Sequence, residues 1–177
     1  NNPSNGDFSM STLFVNNLNT ASGTTIQVPA GKVLHQAGSI IQVVQTAKTD
    51  TFTAGNNTAF ADITGMSVSI TPKFSNSKIM IWTSLTGEIQ NNTYCAHFRL
   101  MRGSTAIGIG DANGSAPRGS FHLDSYASGG SLAMITASFH FMDSPATTSA
   151  TTYKVQVQVP NGSGNTYIGR NHSDNNG

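Results

Sequence analysis

Long stretches of this chain alternate apolar and polar side chains with period two, and no stretch of helical length carries apolar residues at three-and-four spacing. Period two puts successive side chains on opposite faces of a strand, so the pattern commits the chain to sheets. The clearest case is residues 62–88. Met66, Val68 and Ile70 alternate there with Ser67, Ser69 and Thr71, and further on Ile79, Ile81 and Leu85 alternate with Lys78, Met80, Trp82 and Ser84. Between the two runs Pro72 fixes φ, and Ser75, Asn76 and Ser77 can bond their own backbone, which predicts a reversal without glycine. The stretch therefore reads as a hairpin with an apolar inner face.

The same reading extends along the chain. SIIQVVQT, from Ser39, is an apolar run with Gln at intervals, the pattern of a strand buried on both sides, and the globular domain is placed to start at Gly38. Phe52 is expected to anchor a strand end. Ala96, Phe98 and Leu100 share one face with Tyr94, and Gly103-Ser104 turns that strand into the partner STAIGIGD. FHLDSYASGG is ambiguous, a short edge strand being one reading of it. In SLAMITASFHFMD, Ile135, Ala137, Phe139 and Phe141 lie opposite Thr136, Ser138 and His140. In ATTYKVQVQVP, Tyr153, Val155, Val157 and Val159 face one way, and TYIG is a last brief strand before an end with no anchoring residue. About eight short strands at regular spacing predict an all-β antiparallel sandwich over residues 38–177, of jelly-roll or immunoglobulin-like topology.

Residues 1–37 differ. A polar, Gly- and Pro-punctuated lead is followed by two short β-like pieces, residues 12–15 and 24–28, with Leu13, Phe14, Val15, Ile26 and Val28 as their apolar members. Pieces this short are stable mainly when paired with other chains or laid on a larger sheet, the alternative being a linker. The segment is expected to be an extended neck or attachment segment.

Composition narrows the function. Charged residues are 10% of the 177, against about a quarter in ordinary domains, and Ser, Thr, Asn and Gly replace them. Such hydroxyl- and amide-rich surfaces are usual in extracellular and virion β-proteins. A net charge of +1 with scattered Lys and Arg gives no field to gather nucleic acid or anionic membrane, so neither is expected as a partner. No run of about 18 apolar residues suggests a membrane span, and the N-terminus lacks the pattern of a signal peptide. The single Cys95 excludes a disulfide within the chain and reads as a small buried hydrophobe.

Motifs for chemistry are sparse. His35, His97, His122, His140 and His172 fall in no metal-ligand spacing, so no metal is expected unless one histidine from each subunit of a trimer meets on an axis. Glu88 is the only glutamate. Asp111 with Asp124, or Asp143 with Glu88, could be imagined as the two carboxylates of a glycosidase, but no spacing selects them. No nucleophile elbow is present, and GIGDANG opens no helix, so it reads as a turn and not a phosphate loop. No enzyme activity and no cofactor are expected.

Binding is better served. DANGSAPRGS, residues 111–120, is the most loop-like stretch, and exposed excursions on rigid β scaffolds are where binding resides. Asn113, Arg118, Phe121, His122, Asp124 and Tyr126, with Asn91 and Asn92 of the 88–93 loop, offer flat rings beside amide, carboxylate and cationic groups, the set that recognises sugars. Met80 and Trp82 make the second strand of the 62–88 stretch apolar on both faces, so its outer face requires cover from a neighbouring subunit or the neck.

NGDFSMSTLFVNNLNTASGTTIQVPAGKV, SIIQVVQ, ITGMSVSITPKFSNSKIMI, FRLMRGSTAIGIGD and FMDSPATTSATTYKVQV together span residues 6–159. They resemble a group of bacteriophage virion proteins, tail fibres or other structural proteins, common in phages of marine cyanobacteria. The resemblance implies a homotrimeric fibre tip or spike on the phage particle, on the tail or the capsid, with a jelly-roll-like head and a neck that attaches to other virion proteins. It further implies a non-enzymatic role in which head loops recognise a host polysaccharide or protein receptor. A capsid decoration or head-fibre protein is the alternative setting, and a polysaccharide-cleaving enzyme a more distant one. Similar proteins continue past the TYIGR-like strand into another short apolar strand, whereas this sequence stops at Gly177 in polar residues, so either that strand is absent or the chain is cut short, and the closing edge of the sandwich stays undecided.

Overall fold

The computed structural model describes residues 38–55, 57–90, 95–124, 134–160 and 164–173. The chain divides into two compact units, Asn1–Val43 and Val44–Gly177. Neck residues Leu13, Phe14, Val15, Ile26 and Val28 lie outside the described residues, as do Asn91, Asn92, Tyr94 and Tyr126.

Nine strands and no helix are found among the described residues: β1 (Phe52–Ala54), β2 (Asn57–Ile70), β3 (Ile79–Ile89), β4 (Cys95–Arg102), β5 (Thr105–Ile107), β6 (Phe121–Asp124), β7 (Ile135–Asp143), β8 (Thr151–Val159) and β9 (Thr166–Ile168). They form two antiparallel sheets, one in the order β1-β9-β3-β7 and the other β2-β8-β4-β5, with β6 also on β4. Leu85 and Ile89 of the first sheet share a core with Phe98, Val155 and Val157 of the second, so the arrangement is sandwich-like.

Alternation sets the faces as expected. Ala96, Phe98 and Leu100 of β4 and Tyr153, Val155, Val157 and Val159 of β8 are buried, while Met80, Trp82 and Ser84 of β3 point away from the core. In β2 the inward set changes parity between Ile63 and Met66. Between the Asp62–Gln156 and Ser67–Lys154 pairs β2 advances five residues to β8's two, and Gly65 in this irregularity has φ 84°. The bulge lets both Ile63 and Met66 face the core.

Two expectations are corrected. Residues 62–88 are not a hairpin: β2 bonds only β8 and β3 bonds β7 and β9, so the 71–78 connection crosses from one sheet to the other. It carries a local turn, with the Ser77 amide donating to the Phe74 carbonyl at 3.0 Å and the Phe74 amide to Ser77 Oγ at 3.2 Å. Turn chemistry specifies a reversal but not which sheet receives the returning strand. Nor is SIIQVVQT a buried strand. Residues 40–46 join no ladder among the described residues, and Ile40 and Val43 are 84% and 79% exposed.

The sheets are tied at one end by Asp143, the last residue of β7. Arg102 Nη1 donates to both of its carboxylate oxygens at 2.9 and 3.1 Å, and the Tyr153 hydroxyl donates to Oδ2 at 2.7 Å. Burial, then this carboxylate, push the Tyr153 phenol far above its ordinary value, so it stays a donor.

Candidate functional site

Of the sequence-selected recognition residues, the described ones, Asn113, Arg118, Phe121, His122 and Asp124, lie along one corner, where β4 carries two short strands along the same edge. β5 takes Leu100–Arg102 and β6 takes Cys95–Phe98, so residues 108–120 leave the sheet and return to it beside the point of departure. Ser120 closes this excursion. Its hydroxyl accepts from the Leu100 amide and donates to the Ile107 carbonyl, both at 3.0 Å, and its own amide donates to the Phe98 carbonyl at 2.7 Å. Gly108, φ 61°, begins the excursion against the Phe139 ring, where a Cβ would come within about 3.0 Å of a ring carbon. Higher up, Arg118 Nε donates to the Gly110 carbonyl at 2.7 Å. Residues 110–118, with Asn113, are exposed on this clasped base.

Beside the base lies a depression of about 420 Å³ between β6 and β7, lined by residues 120–124 and 135–138. His122 and Asp124 are exposed at it; Phe121 is not an exposed contact. Its ring stacks between Phe98 and Phe139, centroids 5.1 and 5.7 Å away, in a ladder that continues to Phe141. Alternation along β6 could have shown this, since Phe121 shares the inward parity of Leu123.

On the outer face of the same strands His97 pairs with His122, and Cys95 with Asp124. Cys95 Sγ lies 3.3 Å from His97 Nε2 and the thiol is half-buried, so it is not the interior hydrophobe the sequence suggested. Burial, then the Asp124 carboxylate, raise the Cys95 pKa, and burial with the neighbouring His122 lowers that of His97. Both shifts favour neutral groups. Among the described residues no three His, Cys, Asp or Glu side chains come together as metal ligands. Further along this face Gln156 accepts from Arg99 Nη2 and donates to Asp62, which also receives Lys154 Nζ, each at 2.7 Å, and Arg99 lies 4.0 Å over the Phe60 ring. The Lys154 and Gln156 bonds hold the Asp62 carboxyl below its ordinary value.

The 88–93 stretch is not a loop at its start. Glu88 and Ile89 end β3, and Glu88 is 2% exposed. Its Oε2 accepts from the His172 amide at 2.8 Å, and its Oε1 lies 2.6 Å from His172 Nδ1. The chain end thus has an anchor that no local pattern announced. Arg170 lies 4.4 Å over the Tyr167 ring in the same layer. Glu88 and Asp143 cannot flank one bond: Asp143 pairs with Ile79, nine positions from Glu88 on β3, about 30 Å at strand rise.

At the other end of this outer face nothing described covers β3. Trp82, 80% exposed, pairs with His140, and Met80, 56% exposed, pairs with Met142. Next to Trp82 a groove of about 500 Å³ opens between β2 and β3, lined by apolar residues including Met66, Val68, Ile81 and Leu85, with residues 44–48 along it.

Comparison with protein-family models, with curated proteins and with solved structures finds no match to this chain.

Proposed function

We propose that the chain is a virion structural protein whose jelly-roll-like head forms part of a homotrimeric tail-fibre or spike tip and recognises the host cell surface. The observation that carries this reading is the 108–120 excursion, an exposed loop clasped at its base by Ser120 and set beside the β6–β7 depression. A loop ordered at its base loses less entropy on binding than a free one. Asn113, Arg118, His122 and Asp124 give that corner amide, guanidinium, imidazole and carboxylate groups, which suit the hydroxyls of a surface polysaccharide or the polar face of a protein receptor. Residues 1–37 would join the head to other virion proteins. The sequence resemblance supplies the phage setting.

The exposed Trp82, Met80 and Met142 surface favours a second reading, a capsid decoration or head-fibre protein with a mainly structural role. Labelled protein added to host cells separates the two. Under the first reading it binds saturably, and Asn113→Ala with His122→Ala weakens binding roughly tenfold or more at unchanged melting temperature. No saturable binding to host cells overturns it.

A further inference from the structure

We propose that residues 40–43 of one copy of the chain add as a strand to the open edge of β3 in a second copy. The inference rests on the homo-oligomeric reading above and names the contact that builds the oligomer.

The acceptor is incomplete in the single chain. On the edge of β3 away from β7, β9 pairs only with Gly87, Glu88 and Ile89, and the Gly169 amide adds one bond to the Thr86 carbonyl at 2.9 Å. From Ile79 to Leu85 no described strand pairs with that edge. Such an edge is a template for another chain. The approximately 500 Å³ groove beside it is lined by Met66, Val68, Ile81 and Leu85 and by the chain's own residues 44–48, so an added strand would meet apolar surface on its inner side. On its outer side it would lie next to Trp82 and Met80.

The donor has the matching character. A strand placed there packs its inner side chains on the groove and sets its outer ones beside Trp82 and Met80, so apolar residues suit both parities. Ile40 provides one parity, Ile41 and Val43 the other, and Gln42 alone is polar. These residues run without a ladder partner among the described residues, with Ile40 and Val43 84% and 79% exposed. Among the described residues every copy therefore carries an apolar segment without a sheet and a sheet edge without a strand. A second copy supplies both, whereas an unrelated peptide would complete only one of them.

The test co-expresses two tagged forms of the full chain, both Cys95→Ser. One carries Val43→Cys and the other Ser84→Cys. Treatment with a short bis-maleimide should give a linked species bearing both tags, and sedimentation should show an oligomer. An oligomer without doubly tagged product overturns strand addition and leaves the oligomeric reading standing; a stable monomer overturns both. Ile40→Asp with Val43→Asp provides an independent measurement, since both positions are exposed in the single chain and the fold tolerates them. The dissociation constant should rise by roughly a hundredfold or more, as for central interface anchors, and an unchanged constant overturns the proposal.

Discussion

Asp143 shows how one buried polar residue can fix the relation of two sheets. It ends β7 in one sheet, and its partners Arg102 and Tyr153 come from β4 and β8 of the other. Tyr153→Phe removes a hydrogen bond to a charged acceptor without leaving a cavity, and should cost about 1.5–3 kcal/mol in denaturant unfolding. Glu88 performs the corresponding task for the chain end. Glu88→Ala leaves His172 without its partner, and limited proteolysis should then cut residues 169–173 under conditions that spare the parent. His97 sets a pH dependence. Its folded value lies below the ordinary one of about 6.5, so the unfolded chain binds the proton more readily. Its contribution to stability is complete above that ordinary value and is lost as pH falls through the lowered one. His97→Gln should flatten the stability profile in that window, as thermal melts at stepped pH would show.

At the scale of elements, the loop base and the β3–β9 approach decide the candidate surfaces. Ser120→Ala leaves the Leu100 amide and the Ile107 carbonyl without their shared hydroxyl, which should cost about 1–3 kcal/mol and speed exchange of the Leu100 amide. Gly87 lets β9 reach β3, since a Cβ there would fall on the Tyr167 carbonyl oxygen, a backbone atom with no freedom to yield. Most strands were legible from alternation, because burial of one face acts residue by residue. The 62–88 hairpin failed for a different reason. Both strands were read with the right faces, but β2 and β3 take their hydrogen bonds from β8 on one side and from β7 and β9 on the other. The bonding partners of a strand lie far along the sequence, where no local pattern reaches.

For the whole molecule, the outer face of the β1-β9-β3-β7 sheet is covered at one end and open at the other. The chain's own residues 169–173 lie over Glu88 and Tyr167, while Trp82 and Met80 stand uncovered. Trp82 is the only tryptophan, so its fluorescence reports on the open end alone. Emission should be red-shifted and readily quenched by iodide in a dilute single chain, and blue-shifted and protected on self-association. Emission independent of protein concentration across the association range would remove Trp82 from the contact.

The sequence by itself determined the all-β character, the faces of most strands and the polar loop at 111–120, because side-chain parity and turn chemistry are local. Only the tertiary structure decided that Asp143 ties one sheet to the other, that Glu88 holds His172, and that residues 40–46 join no ladder among the described residues where a buried strand was expected. Each of those outcomes depends on what another part of the chain brings alongside. Residues 40–43, and residues 79–85 on the edge of β3 away from β7, find no ladder partner among the described residues, which gives two apolar stretches a common physical reason to meet between copies.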